Sequence, residues 1–257
     1  AGVVLNRADY TAAARRNAEF VLSNLRRDGL LLRTWKDGVA KFNAYLEDYA
    51  FFIEGLVTLY ETTGEFRWVN EALALTERMI EEFWDEENGG FFFTGKSHEN
   101  LIVRSKDYFD NATPSGNSVA AGVLLRLAIL TGKDNYRNLA VAVFREAADA
   151  ARRYPSGFGY TLSAIDFLLS TPKEVAIVGR DAEDIEPLLS EVWRSYLPNK
   201  VVAPDFAEET GAFQLPLLQD RPMLQGRATA YVCEHYTCKQ PVTDPENLAG
   251  QLTPPPA

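Results

Sequence analysis

The chain has 257 residues, 46% hydrophobic and 24% charged, enough apolar material to bury a large core without help from disulfides or metal. A formal net charge of -10 and a pI near 4.8, with no Lys/Arg-rich run, argue against nucleic acid or an anionic membrane as partner, because nothing is present to release counterions. No apolar stretch approaches the roughly 20 residues that span a bilayer, and Ala1 to Asn6 is too short for a secretion signal. A cytoplasmic protein is therefore expected, and because the chain does not open with Met, further residues are expected upstream.

Taken in chain order, the first element is a helix over 8–27. Leu46, Tyr49, Phe52, Ile53, Leu56 and Tyr60 recur at i, i+3, i+4 spacing and predict a second helix over 44–62. Phe66, Val69, Leu73, Met79, Ile80 and Phe83 predict a third over 66–84. Gly64 stands where a left-handed C-cap would separate these two, as Gly132 does between helices predicted over 115–131 and 134–153. A sixth helix is read over 158–170.

Beyond Pro172 the grammar changes. KEVAIVG (173–179), KVVA (200–203) and ATAYVC (228–233) read as strands and 184–196 as an amphipathic helix. The fold class is thus mainly α, with helical hairpins over 1–172 and a small C-terminal α/β appendage over 173–252. The proline-rich tail 253–257 is expected to be disordered.

Repetition supports the hairpins. The offset between Gly64 and Gly132 brings Asn43 onto Asn111, Leu56 onto Leu124 and Leu59 onto Leu127. A unit of that length is two helices and a long loop, which stacks into solenoids or closes into toroids.

LEDYAFFIEGLVTLYETTG (46–64), DEENGGFFFT (85–94), LIVRSKDYFDNATPSGNSVAAG (101–122) and AYVCEHYTCKQPVTDP (230–245) resemble the thioredoxin-domain-containing family typified by spermatogenesis-associated protein 20. The resemblance covers nearly the whole chain. It implies part of an (α/α)6-type toroid, similar to N-acylglucosamine 2-epimerase and the six-hairpin glycosidases, and a thioredoxin-like domain upstream. The chain departs from the pattern in lacking a Cys-x-x-Cys segment and in carrying only about half of the expected hairpins.

In such a toroid the loops before the inner helices face one mouth of the cavity, where free N–H groups and helix dipoles favour anionic or hydroxylated ligands. The loop before Pro114 gathers Arg104, Lys106, Asp107, Asp110 and Asn111 with Ser115 and Asn117, beside aromatics that include Phe92. One repeat earlier stand Trp35, Lys36, Asn43, Glu47 and Asp48. Carboxylates and amides on hydroxyls, with rings on apolar sugar faces, suit a carbohydrate-type ligand. Asp48 and Asp110, with Glu47, are the candidate catalytic carboxylates, since glycosidic acid–base chemistry needs a pair about 5–9.5 Å apart. The same residues also read as caps and turns, and on the ligand reading Asp110→Ala abolishes binding while costing only a capping-sized ~0.5–2 kcal/mol of stability. Asp85 to Gly90 lacks calcium-loop spacing and reads as a turn.

Histidine supply is short. Epimerases of the related fold use two cavity histidines, whereas His98 and His235 both fall outside the predicted inner helices and His98 is expected to be exposed. Cys233 and Cys238, with His235 between them, leave three readings open: reduced structural thiols, a redox or disulfide pair, or an incomplete zinc site. No metal or cofactor is assigned. Two functions are carried forward: carbohydrate-type binding or processing in the toroid cavity, or a non-catalytic module serving a thioredoxin-like redox domain.

Overall fold

The computed structural model describes residues 1–99, 101–206, 215–235 and 237–253, and among them lie eight α-helices and two small sheets. Helix α1 (Ala8–Asn24) is followed by strands β1 (Arg26–Arg27), β2 (Leu30–Lys36) and β3 (Val39–Asn43), which form an antiparallel sheet in that order. This sheet corrects two readings. The predicted first helix stops three residues early, and the segment of Trp35, Lys36 and Asn43, taken as a loop, is a hairpin. Asp37 and Gly38 both adopt positive φ at its tip, the two-residue turn that joins β2 to β3.

The helical body follows the predicted pattern. Helices α2 (Leu46–Thr63) and α3 (Phe66–Phe83) form one hairpin, α4 (Gly116–Thr131) and α5 (Asp134–Arg153) another, and α6 (Gly159–Leu169) comes next. Helices α2, α4 and α6 lie side by side, with α3 backing α2 and α5 backing α4. α3 is half-apolar because it buries one stripe, Trp68, Val69, Ala72, Leu75, Met79 and Phe83, against α2. Each large side chain so buried contributes about 1.5–3 kcal/mol.

The repeat extends to hydrogen bonds. Thr63 Oγ1 donates to Leu59 O at 2.8 Å and accepts from Glu65 N, and Thr131 Oγ1 does the same with Leu127 O at 2.6 Å and Lys133 N. Gly64 and Gly132 follow with φ of 74° and 65°, both left-handed caps. Their surroundings differ. A Cβ on Gly64 would fall 2.5 Å from the Phe206 ring, whereas one on Gly132 would meet Pro216 at an ordinary 3.7 Å. Gly132→Ala should therefore cost about the 1–2 kcal/mol of a left-handed alanine, and Gly64→Ala distinctly more. Urea unfolding of the two variants checks this, and equal losses would remove the Phe206 contact from the argument.

The C-terminal sheet has the order β5-β4-β6-β7, from β4 (Lys173–Gly179), β5 (Lys200–Phe206), β6 (Thr229–Glu234) and β7 (Thr237–Cys238). β4 pairs parallel with β5 and antiparallel with β6. Val175, Ile177, Val202 and Val232 pack against α7 (Ala182–Arg194) and α8 (Pro245–Leu252), while Ala176, Val178, Val201, Ala203 and Tyr231 join the helical core. Burial on both faces explains the unbroken apolar run of β4. Tyr60 Oη on α2 donates to Pro204 O at 3.2 Å, tying sheet to helices. Predicted helix 184–196 lies two residues earlier, β5 runs to Phe206, and α8 was not anticipated, since Asp244-Pro245 reads as a turn before it reads as an N-cap with proline in the first turn. Of the tail expected to be disordered, residues 254–257 fall outside the described residues.

Candidate functional site

Of the predicted loop residues, Glu47, Asp48, Asp110, Ser115 and Asn117 lie at the N-terminal ends of α2 and α4, and Asp110 also reaches the start of α6. Asp110 lies between two of these ends. Its Oδ1 accepts from Ser115 N at 2.9 Å and Ser118 Oγ at 2.5 Å, and its Oδ2 accepts from Thr161 N at 3.0 Å. One carboxylate therefore satisfies donors at the starts of both α4 and α6. Ser115 is the N-cap of α4, its Oγ accepting from Ser118 N. Asn117, fully buried, exchanges two hydrogen bonds with the Phe91 backbone and donates to Asp107 O.

The basic residues are engaged likewise. Arg104 donates to the carbonyls of Thr94 and Glu82 and lies 4.2 Å from the Phe92 ring. Lys106 pairs with Asp85 at 2.7 Å and donates to Gly89 O. The Lys106 hydrogen bond is the largest cause holding the Asp85 carboxyl well below the usual range. Asp85 Oδ1 also accepts from Glu87 N and Asn88 N, closing the turn read there.

Glu47 and Asp48 open α2 and share the fork of Arg33, at 3.0 and 2.9 Å. Asp48 also accepts from Tyr45 N at 2.8 Å. Burial raises its carboxyl above the ordinary value, against the pull of that N–H and of Arg33. Glu47, Asp107, Asn111 and Ser115 line a cavity of about 60 Å³. Asp48 and Asp110 do not line it, and Trp35 stands on β2, edge-on to Phe20 at 5.8 Å. His98 is not an open loop residue: its ring lies 5.1 Å from Tyr45 and its Nδ1 accepts from Gly95 N.

A larger cavity, of about 540 Å³, lies on the exposed side of α4 and α6 and takes in Tyr196, Pro198 and Asn199. Arg126, Tyr160, Phe167 and Asp166 are on its wall. Tyr160 on α6 crosses α4 at Gly122, where a Cβ would meet its ring at 3.0 Å, and its hydroxyl donates to Glu54 on α2. Burial and then Glu54 hold the Tyr160 hydroxyl well above the ordinary phenol range, so it remains a proton donor. Arg126 on α4 pairs with Glu61 on α2 at 2.7 Å and donates to Thr58 at 3.1 Å. Burial opposes its charge, but Glu61 carries its pKa above the ordinary guanidinium value. Thr58 and Arg126 are one repeat apart. Glu54, Thr58 and Phe51 also line a second cavity, of about 390 Å³, between α2 and α1. A polar ridge thus runs between two hollows on one face of three helices.

The sequence held a signal for this ridge. Glu54 is the only charge in Tyr49 to Tyr60, and Arg126 the only one in all of α4. A single charge in an apolar helix marks a partnered or ligand-facing position.

A protein of paired helices backed by an α/β sheet is the class these observations define. No protein-family model matches the chain. It is 37% identical over 214 residues to human spermatogenesis-associated protein 20, covering 82% of this chain and 27% of that protein. The rat protein of the same name is 36% identical over 81% of this chain and 27% of its own length. An uncharacterised Caenorhabditis elegans protein is 27% identical over 91% of this chain and 33% of its own length. The chain is thus a homologue of spermatogenesis-associated protein 20, matching about a quarter of its length.

Proposed function

We propose that the exposed face of α2, α4 and α6 binds a hydroxyl-rich small molecule of carbohydrate type, and that these three helices are inner helices of an (α/α)6-type arc. The observation that carries this reading is the cavity of about 540 Å³ beside Arg126 and Tyr160. Its size falls within the roughly 300–1,000 Å³ of small-molecule sites, while the hollow at Glu47 and Ser115, about 60 Å³, holds only a few waters. Tyr160 and Phe167 offer rings for an apolar sugar face, and Arg126, Asp166 and Asn199 offer donors and acceptors for hydroxyls. In this reading Asp110 and Asn117 hold the start of α4, Arg104 and Lys106 brace the loop before it, and Glu47 with Asn111 belong to the separate small hollow.

The test is thermal unfolding against mono- and disaccharides and sugar acids. A ligand at a hundredfold excess over its Kd should raise the midpoint by about 5–10 °C. Tyr160→Phe, which keeps the ring over Gly122 and loses the hydroxyl, should abolish most of that rise. No rise anywhere in the panel sinks the proposal. The second reading, a non-catalytic module serving a thioredoxin-like domain of the longer protein, is favoured by one observation, the bonded pair Cys233 and Cys238.

A further inference from the structure

The antiparallel register of β6 and β7 sets Cys233 opposite Cys238 across a turn in which His235 has φ 50°, and the two are joined as a disulfide. Their exposures differ. Cys233 is fully buried and Cys238 is exposed. Arg221 reaches both sulfurs, its Nη2 donating to Cys233 Sγ at 3.4 Å and to Cys238 Sγ at 3.3 Å. The guanidinium is held in place independently of them: Nη1 donates to the carbonyls of Leu217 and Gln219, and the group lies over the Tyr231 ring at 6.0 Å.

Glu174 and Asp220 act on the half-buried guanidinium, but its Nη2 is aimed at the two sulfurs, and a neutral disulfide brings no charge to that contact. A thiolate does, and an adjacent Arg is a standard means of lowering a thiol pKa. The bridge also joins cysteines only five positions apart, and so short a closure constrains an unfolded chain least. We infer that Cys233 and Cys238 form a reversible dithiol–disulfide site, with Cys238 the attacked and attacking sulfur and Arg221 the residue that stabilises the thiolates. The inference does not depend on the sugar-type reading.

Its co-reactant is a dithiol. One thiolate of that dithiol attacks Cys238 Sγ, the new intermolecular S–S bond forming as the Cys233–Cys238 bond breaks and the electron pair leaving on Cys233 Sγ beside Arg221. The second thiolate of the reagent then attacks its own sulfur in the mixed disulfide and releases Cys238. The reagent loses two electrons and two protons and becomes a disulfide, and the protein gains both as two thiols. The reverse sequence oxidises the protein pair. Cys238 is suited to the first step because attack requires access.

Other charges face the site. Glu174 stands opposite Cys233 in the β4–β6 register, and Glu174 and Asp220 both act on Arg221. Lys173 pairs with Glu234, while His235 and Lys239 are exposed beside β7. Among the described residues Arg221 is the cation that contacts sulfur, so the pH profile of the thiols should follow it.

The experiment equilibrates the purified chain with reduced and oxidised dithiothreitol at graded ratios and pH 7, quenches with acid, alkylates and counts thiols by mass. Interconversion should be reversible and two-electron. In Cys233→Ser, Cys238 should form a mixed disulfide with oxidised glutathione, whereas Cys233 in folded Cys238→Ser should react at least tenfold more slowly. The iodoacetamide profile of Cys238 should have its midpoint below the ordinary thiol value of about 8.5, and Arg221→Gln should cut the rate at pH 7 about tenfold. The reduced wild-type chain yields the same profile should either serine variant fail to fold. A bond that cannot be opened or re-formed across the series, or a midpoint at or above 8.5 that ignores Arg221→Gln, overturns the inference.

Discussion

Arg126→Met is expected to destabilise the fold by about 3–5 kcal/mol, because it leaves the buried Glu61 carboxylate without its cation. Glu61 is the more deeply placed partner, with 3% of its side chain exposed against 18% for Arg126, and it lies where α2 meets β5. Exposed pairs in the same chain, such as Arg7 with Asp9, are screened by water and should contribute far less. Burial makes the difference: with 3% of the Glu61 side chain exposed, bulk water cannot replace the missing partner, and Lys200, which also acts on Glu61, is itself opposed by burial. The double variant Glu61→Leu/Arg126→Met removes both charges and should recover most of the loss. Urea unfolding of the two single variants and the double variant completes the cycle. Losses under 1 kcal/mol in both single variants would show that water reaches the pair and that the ridge is a solvated surface.

Asp110→Ala should cost about 2–4 kcal/mol, above the capping-sized loss expected from sequence, because two helix ends lose an acceptor at once. Asp110→Asn should fall between wild type and Asp110→Ala, since one amide oxygen can serve the start of α4 or of α6 but not both. The damage should also be local. Asp110 N donates to Gly157 O and the Phe109 ring packs on Phe158 at 4.8 Å, so the loop and α6 are held together through this residue. Hydrogen exchange should rise first in residues 159–169. If Asp110→Ala costs less than about 1 kcal/mol, the carboxylate is free for chemistry and returns to the candidate catalytic set.

The helical hairpins were legible because their signal is local. Gly64 and Gly132 end helices that a 3.6-residue apolar period had already defined, and the threonines before them repeat the same hydrogen bonds. β4 was legible for a related reason, its apolar run being too short for a helix and bounded by Pro172 and Gly179. The hairpin of β2 and β3 was not, because its strands are short and interrupted by charge and the turn at Asp37-Gly38 is a two-residue signal. α8 was missed because its cap, Asp244-Pro245, doubles as a turn motif.

The candidate site divides along the same line. The sequence by itself gathered the polar residues of the loop before α4, and the structure brings Glu47, Asp107, Asn111 and Ser115 to one hollow. It gave no means of telling that Asp110 would serve two helices, that Tyr160 would reach Glu54 across Gly122, or that Arg221 would meet two sulfurs. Each of those contacts joins residues from separate elements, 51, 106, 12 and 17 positions apart. Periodicity and capping are settled within one or two turns of chain, where backbone geometry alone fixes which side chains are neighbours. A contact between elements depends on how their faces pack, and only the assembled core decides that.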